Sequence, residues 1–215
     1  MRARPWILAL LSFFLLFGAS SAEAAKKKKN KQTEVQTIGV SSMDVVFRKA
    51  RKLDSRISTA ERSRRTGKAN FRTSLGLTKK GSLQQALNVF EDRARGQAQV
   101  ALSGGKPELN LKQGFPQDLQ LSADALDNAL ISYTEALDNT LKAPVEAARL
   151  VKKAKAFPSE IKGELLSNPL KAVAVLKNLK TTKNNIAIMS SLPKRSRDLT
   201  KALTADINIV VQALK

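Results

Sequence analysis

The side chains best able to do chemistry in this chain are cations grouped near its N-terminus. A run of lysines in residues 26–31 is followed by lysines and arginines along one side of a predicted helix that begins near residue 41. These cations are Lys26, Lys27, Lys28, Lys29, Lys31, Arg48, Lys49, Arg51, Lys52 and Arg56. Grouped cations attract polyanions and anionic surfaces by Coulomb attraction and counterion release, without a shaped pocket. The sequence therefore predicts an electrostatic binding site in residues 26–80, which hold 17 basic and 4 acidic groups.

The segment 122–141 carries the opposite charge. Its hexamer ALDNAL, residues 125–130, returns as ALDNTL in residues 136–141, and this 11-residue offset equals three turns of a nearly straight helix. Carboxylates recur along one ridge of this predicted central helix at Asp124, Asp127, Glu135 and Asp138. A solvated face is the simpler interpretation, and a docking strip for a basic partner or a divalent cation is the alternative. The ridge has no DxDxDG loop, and two carboxylate pairs on a rigid helix cannot bring to one ion the roughly six to eight oxygens that calcium takes, so no metal site is predicted.

Residue types that commonly carry catalysis are scarce. The chain has no His and no Cys, which excludes Ser-His-Asp catalysis, HExxH zinc sites, disulfides and thiol chemistry. Ser-x-x-Lys pairs begin at positions 103, 159 and 191, but the S-D-N and K-T-G elements of penicillin-recognising enzymes are missing. Such pairs recur by chance in a lysine-rich chain. The sequence also has no glycine motif for nucleotides, so we predict a protein that is not an enzyme and has no cofactor.

The first 24 residues have the pattern of a secretory signal peptide. Arg2 and Arg4 precede an apolar run at residues 6–17, and small residues lead to Ala24. We therefore expect cleavage after Ala24 and a periplasmic or extracellular location. The run is too short to cross a bilayer, which takes about 20 residues, although the lysines that follow it oppose translocation of that flank. Export also argues against nucleic acid as the partner.

Two regions follow the predicted signal peptide. Residues 25–40 are polar, lysine-rich and without periodicity, which predicts a disordered basic arm. Residues 41–215 show apolar side chains at helical spacing, with Gly and Pro at the helix ends, and no alternating strand pattern competes. The predicted fold class is all-α, a single domain formed by a bundle of four to five antiparallel helices.

The limits of the first two helices follow from caps and glycines. The first is predicted to start with a cap at residues 41–44 and to end near Gly67, because Arg64 rotates onto its apolar stripe. The second is predicted over residues 82–104 and contains Gly96, for which a close helix crossing is the expected reason. The remaining predicted elements are, in order, a long loop (104–121), the central helix from Ser122 with a kink or restart at Pro144, a short helix (159–166), a helix from Asn168–Pro169 to Leu192–Pro193, and a last helix.

Three functional hypotheses remain open. The leading one is an exported, non-enzymatic helical bundle that binds an anionic membrane surface, an envelope polymer or an acidic protein by electrostatics through residues 26–80. The second is an adaptor or assembly subunit that binds a partner helix in a groove beside the central helix. The third is a His-free, Cys-free enzyme with its site under the loop 104–121. Salt separates the first two, because screening weakens only binding that depends on the cations.

Overall fold

Helices make up most of the chain. The computed structural model describes residues 34–104, 106–167 and 172–215, and it confirms the predicted helical bundle. The helices are α1 (Ser41–Ser74), α2 (Leu83–Ala94), α3 (Gln120–Thr140), α4 (Ala143–Ala154), α5 (Phe157–Ser167) and α6 (Ala172–Ala213). Between α2 and α3 lie an antiparallel hairpin of β1 (Ala98–Ser103) and β2 (Lys106–Leu111) and a short 3-10 helix, Gln117–Leu119. Four helices, α1, α3, α4 and α6, pack on one another and form the bundle.

The most extensive contact in the bundle joins α1 to α3. The predicted apolar stripe of α1 is buried at Met43, Val46, Ala50, Leu53, Ile57 and Ala60. From its own predicted stripe, α3 buries Leu126, Leu130 and Tyr133. Leu141, predicted as the end of that stripe, is instead exposed, because α3 ends at Thr140 and the chain turns there. Removal of these apolar stripes from water stabilises the pair by about 25 cal/mol per Å² of buried area.

The prediction that the first helix ends near Gly67 is wrong, because α1 continues to Ser74. Arg64 does rotate towards the bundle, but its guanidinium pairs with Asp206 of α6 through Nε–Oδ2 (2.7 Å) and Nη2–Oδ1 (3.2 Å) contacts. The positive charge of Arg64 is therefore paired at the point where its side chain enters the interface with α6. Gly67 lies against α3, and a Cβ there would stand 3.1 Å from the Cβ of Ala129. This glycine permits a close helix crossing and does not end the helix.

The predicted second helix is wrong in its second half. Its start is confirmed, since the Ser82 side chain accepts a hydrogen bond from the backbone N–H of Gln85. The helix then ends at Ala94, and Gly96 takes a φ of +72° in the turn that follows, with open space where a Cβ would lie. No close crossing occurs there. Residues 98–103 instead pair with residues 106–111 as the hairpin, so the end of the predicted second helix and the first part of the predicted long loop are strand.

Prolines have opposite effects on two helices. The predicted restart at Pro144 is confirmed: it lies in the first turn of α4, where its missing N–H has no partner to lose. The predicted helix end at Leu192–Pro193 is wrong, because α6 runs through Pro193 without a break. An interior proline costs a helix about 3 kcal/mol, and burial of the apolar side chains of Leu192 and Leu199 on either side of it offsets that cost. The predicted cap at Asn168–Pro169 lies outside the described residues.

Residues 34–40 form an extended segment, which we call the strap, held against α1 and α6. The Asp44 carboxylate accepts the backbone N–H groups of Ile38 (2.7 Å) and Gly39 (3.0 Å). Asn185 of α6 binds Gln36 twice, through its Oδ1 to the backbone N–H (2.9 Å) and through its Nδ2 to the carbonyl (2.6 Å). The prediction of disorder is therefore wrong for residues 34–40. Asp44 holds the strap, and the predicted Ser41 cap is replaced by Val40, which makes no side-chain capping bond.

Candidate functional site

The predicted cations of α1 fall into two groups. Arg48, Lys49 and Lys52 are exposed, and within the described part of the chain they make no ion pair. Arg51 donates from Nε to the carbonyl of Val35, 2.9 Å away, and so anchors the strap. Arg56 pairs with Glu146 of α4. The predicted lysines Lys26, Lys27, Lys28, Lys29 and Lys31 lie outside the described residues.

A groove between the N-terminal half of α1 and α4 brings cations and exposed apolar side chains together. Its volume is about 620 Å³. Val45, Leu141 and Val145 line it with 40%, 59% and 57% of their surfaces exposed. The cations that line it are Lys49, Lys142, Arg149 and Lys153. We call this region the cationic groove.

Helical spacing explains why these side chains share the groove. Val45 and Lys49 are four residues apart on α1, and Val145, Arg149 and Lys153 follow one another at the same interval on α4. Side chains at this interval lie on one face of a helix. Sequence reasoning identified Lys49 but missed the cations of α4. Their four-residue spacing was visible in the sequence, but their position opposite Lys49 depends on the packing of α4 against α1.

The charge of the cationic groove is almost unopposed. Glu146 is the one carboxylate among the described residues that line it, and this side chain already pairs with Arg56. Elsewhere on α1, Asp54 and Glu61 are both bound by Arg195 of α6. Burial disfavours the charged form of Arg195, but hydrogen bonds to Glu61 and Asp54 outweigh this effect and raise its pKa. Arg195 thus offsets one of the two negative charges of Asp54 and Glu61, Arg56 offsets Glu146, and the four lining cations give the groove a net positive charge.

A second depression, the α1–α3 furrow, runs beside the central helix. It comprises cavities of about 360 and 540 Å³ between α1 and α3. Small and polar residues such as Ser63, Asn128 and Ser132 line most of it. Leu121 of α3 lies in its lining and is exposed, and Ile131 is exposed on the same helix. Three carboxylates of the predicted ridge, Asp124, Glu135 and Asp138, are exposed, whereas Asp127 is half-buried.

Tyr133 is one of several polar side chains buried in the core. Its hydroxyl is buried without a hydrogen-bond partner in the described chain. Burial, and next the charge of Asp206, raise the pKa of Tyr133 above its ordinary range, while Arg64 acts in the opposite direction. The phenol is therefore neutral and cannot act as a base. It is also fully buried, so it meets neither solvent nor a ligand.

Comparison with protein-family models, curated proteins and solved structures finds no match for this chain. The fold and the two depressions are thus the basis for any functional argument. Within residues 34–104, 106–167 and 172–215, carboxylates do not gather in groups of three or more that could hold a metal ion. In the same ranges, every helix is too short or too polar to cross a bilayer.

Proposed function

We propose that this protein is an exported, non-enzymatic helical bundle that binds an anionic envelope surface, a polyanion or an acidic protein by electrostatics. The observation that carries the proposal is the cationic groove, where four cations face solvent and the single lining carboxylate is neutralised by Arg56. Arg48 and Lys52 add unpaired charge to the same half of α1. The lysines in residues 26–31 precede the strap in the sequence and add to the same attraction.

The size of the electrostatic effect fits surface binding. A cation near an anionic membrane contributes about 1 kcal/mol. The four cations of the groove therefore contribute up to about 4 kcal/mol, equivalent to roughly a thousandfold in affinity. Salt weakens this attraction, because the Debye length falls from about 10 Å at 0.1 M salt to about 3 Å at 1 M.

Co-sedimentation with anionic vesicles, neutral vesicles and a soluble polyanion tests the proposal. We expect binding to the anionic samples only, with loss at high salt. The variant Lys49→Gln, Lys142→Gln, Arg149→Gln, Lys153→Gln should bind at least about tenfold more weakly than wild type. The matched control replaces four exposed lysines of α6 by Gln, at Lys177, Lys180, Lys183 and Lys201. Equal losses in the two variants would show that net charge alone drives binding and would overturn the assignment of the groove.

The N-terminal lysines are tested separately, by deletion of residues 25–31 from the chain that starts at Ala25. The deletion removes five cations, so we expect weaker binding to anionic vesicles and a shallower salt dependence. Combined with the four changes in the groove, it should reduce binding further than either change alone. Unchanged binding after the deletion would exclude these lysines from the site.

The α1–α3 furrow favours a second candidate function, that of an adaptor which binds a partner helix beside α3. Exposed Leu121 in its lining and exposed Ile131 on the same helix would supply the apolar contacts of such a partner. Binding by this surface would be insensitive to salt. Partner binding would be lost in the double variant Leu121→Gln, Ile131→Thr. It would be kept in the variant that replaces the four cations of the cationic groove. Isothermal titration with a purified partner would measure both effects.

A further inference from the structure

The cationic groove contains more than charge. Exposed large apolar side chains are few in the described chain, and three of them, Val45, Leu141 and Val145, line this one groove. Two lie one helical turn from a cation: Val45 precedes Lys49, and Val145 precedes Arg149. Cations and apolar groups thus line the same opening.

A soluble polyanion does not account for the apolar groups. Such a polymer offers charge to the cations, but it gives exposed Val and Leu side chains nothing apolar to bury them. A surface that presents anionic groups above an apolar layer satisfies both kinds of side chain. Interfacial helices bind bilayers in this way, with cations at the headgroups and aliphatic side chains at the acyl boundary.

A protein partner fits less well than a bilayer. Stable protein interfaces bury about 1,200–2,000 Å² and depend on a few large anchors, mostly Trp, Tyr and Arg. Of the described residues that line the groove, none is aromatic, and its exposed apolar part consists of three aliphatic side chains. That is little for a docked helix, but it is sufficient for shallow insertion among lipid headgroups.

From this charge complementarity we infer that the cationic groove is a site for anionic lipid bilayers, in which Val45, Leu141 and Val145 insert between headgroups while Lys49, Lys142, Arg149 and Lys153 contact their phosphates. The inference rests on the proposed function, because it names the anionic surface that the groove binds. The aliphatic side chains give the groove its preference for bilayers over soluble polyanions.

The test separates the apolar contribution from the charge. The variant Val45→Thr, Leu141→Gln, Val145→Thr keeps every charge and similar side-chain size. The full chain and this variant are sedimented with phosphatidylglycerol vesicles and titrated with polyphosphate. We expect about tenfold weaker binding of the variant to the vesicles, from the loss of buried aliphatic groups, and unchanged binding to polyphosphate. The matched control is Leu102→Gln, Val173→Thr, Leu176→Gln, which changes exposed apolar residues outside the groove and should bind both ligands like wild type.

A labelling experiment reports insertion directly and does not depend on the triple variant. The chain contains no cysteine, so Val145→Cys and Leu102→Cys can each carry a single polarity-sensitive fluorophore. The label at position 145 should shift to an apolar signal with phosphatidylglycerol vesicles, and the label at position 102 should not.

The outcomes distinguish the two proposals. Absence of binding to vesicles, polyphosphate and an acidic peptide alike would overturn the proposed function and, with it, the lipid site. The lipid site alone would be overturned by the following result: both ligands bind, wild type and the variant Val45→Thr, Leu141→Gln, Val145→Thr have equal affinities, and the fluorophore at position 145 shows no shift. Preferential binding of an acidic amphipathic peptide that displaces the vesicles would replace the bilayer by a protein partner.

Discussion

The fold changes the acid–base chemistry of Tyr133. The chain has a single tyrosine, its hydroxyl is buried without a partner in the described chain, and the charges of Arg64 and Asp206 lie close enough to affect it. A buried hydroxyl without a hydrogen bond is costly, by about 1–3 kcal/mol. The residue was predicted from its helical spacing as part of the α3 core, and it is. Its missing hydrogen bond depends on which groups of α1 and α6 surround it and has no sequence signal.

The raised pKa of Tyr133 predicts the direction of its effect at alkaline pH. Below about pH 10 the phenol is neutral in the folded and unfolded states. Above that pH the unfolded chain releases the proton and the folded chain retains it, so folded stability falls as pH rises. Tyrosinate absorbance in a pH titration should therefore appear together with unfolding and not before it. Titration of the phenol in the folded protein, well below the unfolding transition, would contradict this.

Tyr133→Phe removes the unpartnered hydroxyl, so we expect the free energy of unfolding at neutral pH to rise by about 1 kcal/mol. The variant should also lose part of the alkaline destabilisation. Thr182→Val is the matched control, because it removes the other buried hydroxyl without a partner but no titrating group. Urea denaturation at neutral and alkaline pH measures both variants.

At the scale of elements, the periodicity of apolar residues predicted the buried faces well and the helix ends less well. The apolar stripes of α1 and α3 were predicted correctly as core, because the position at which a helix ends does not change which of its faces is apolar and must be buried. Ends depend on neighbours: Asp206 allows Arg64 into the interface, and packing on both sides of Pro193 keeps α6 intact. The hairpin was missed because Ala94, Ala98 and Ala101 also fit a helical stripe.

The close crossing of α1 and α3 predicts opposite effects for alanine at two helical glycines. At Gly67 a new Cβ would stand 3.1 Å from Tyr133 Cε1 and 3.3 Å from the Cα of Ala129. Overpacking of about 1–3 kcal/mol should exceed the gain of about 1 kcal/mol in helix propensity. At Gly163 of α5 no atom of the described residues lies within 4 Å of a new Cβ, so Gly163→Ala should stabilise by up to about 1 kcal/mol. Thermal unfolding followed by circular dichroism compares them, and a stabilising Gly67→Ala would show that the crossing is looser than described.

At the scale of the whole molecule, the sequence does not predict which helix surfaces pack against each other. The cations of α1 were recognisable, yet two of those predicted as binding groups, Arg51 and Arg56, hold the strap and Glu146. The groove itself exists only because α4 lies beside the N-terminal half of α1, roughly a hundred residues away in sequence. Local patterns carry little information on such long-range packing, so charge was predictable and the shape that organises it was not.

The strap provides a whole-molecule prediction. Asn185 is buried and makes two hydrogen bonds to the backbone of Gln36. Asn185→Ala should lower the free energy of unfolding by about 1–3 kcal/mol and should speed hydrogen exchange at the Gln36 amide. The adjacent Asn184 is exposed, so Asn184→Ala is the control and should leave exchange unchanged. Equal exchange rates in both variants would mean that Asn185 does not hold the strap.

The hydrogen bonds between Asn185 and Gln36 also limit when the strap can be attached to α6 during synthesis. The partners Gln36 and Asn185 are separated by 149 positions, and chains are synthesised at about 5–20 residues per second. The strap therefore waits roughly 7–30 s after its own synthesis before its partner on α6 exists. Asp44 and Arg51 can hold the strap as soon as α1 forms, but its attachment to α6 is among the last contacts of the fold that can be made.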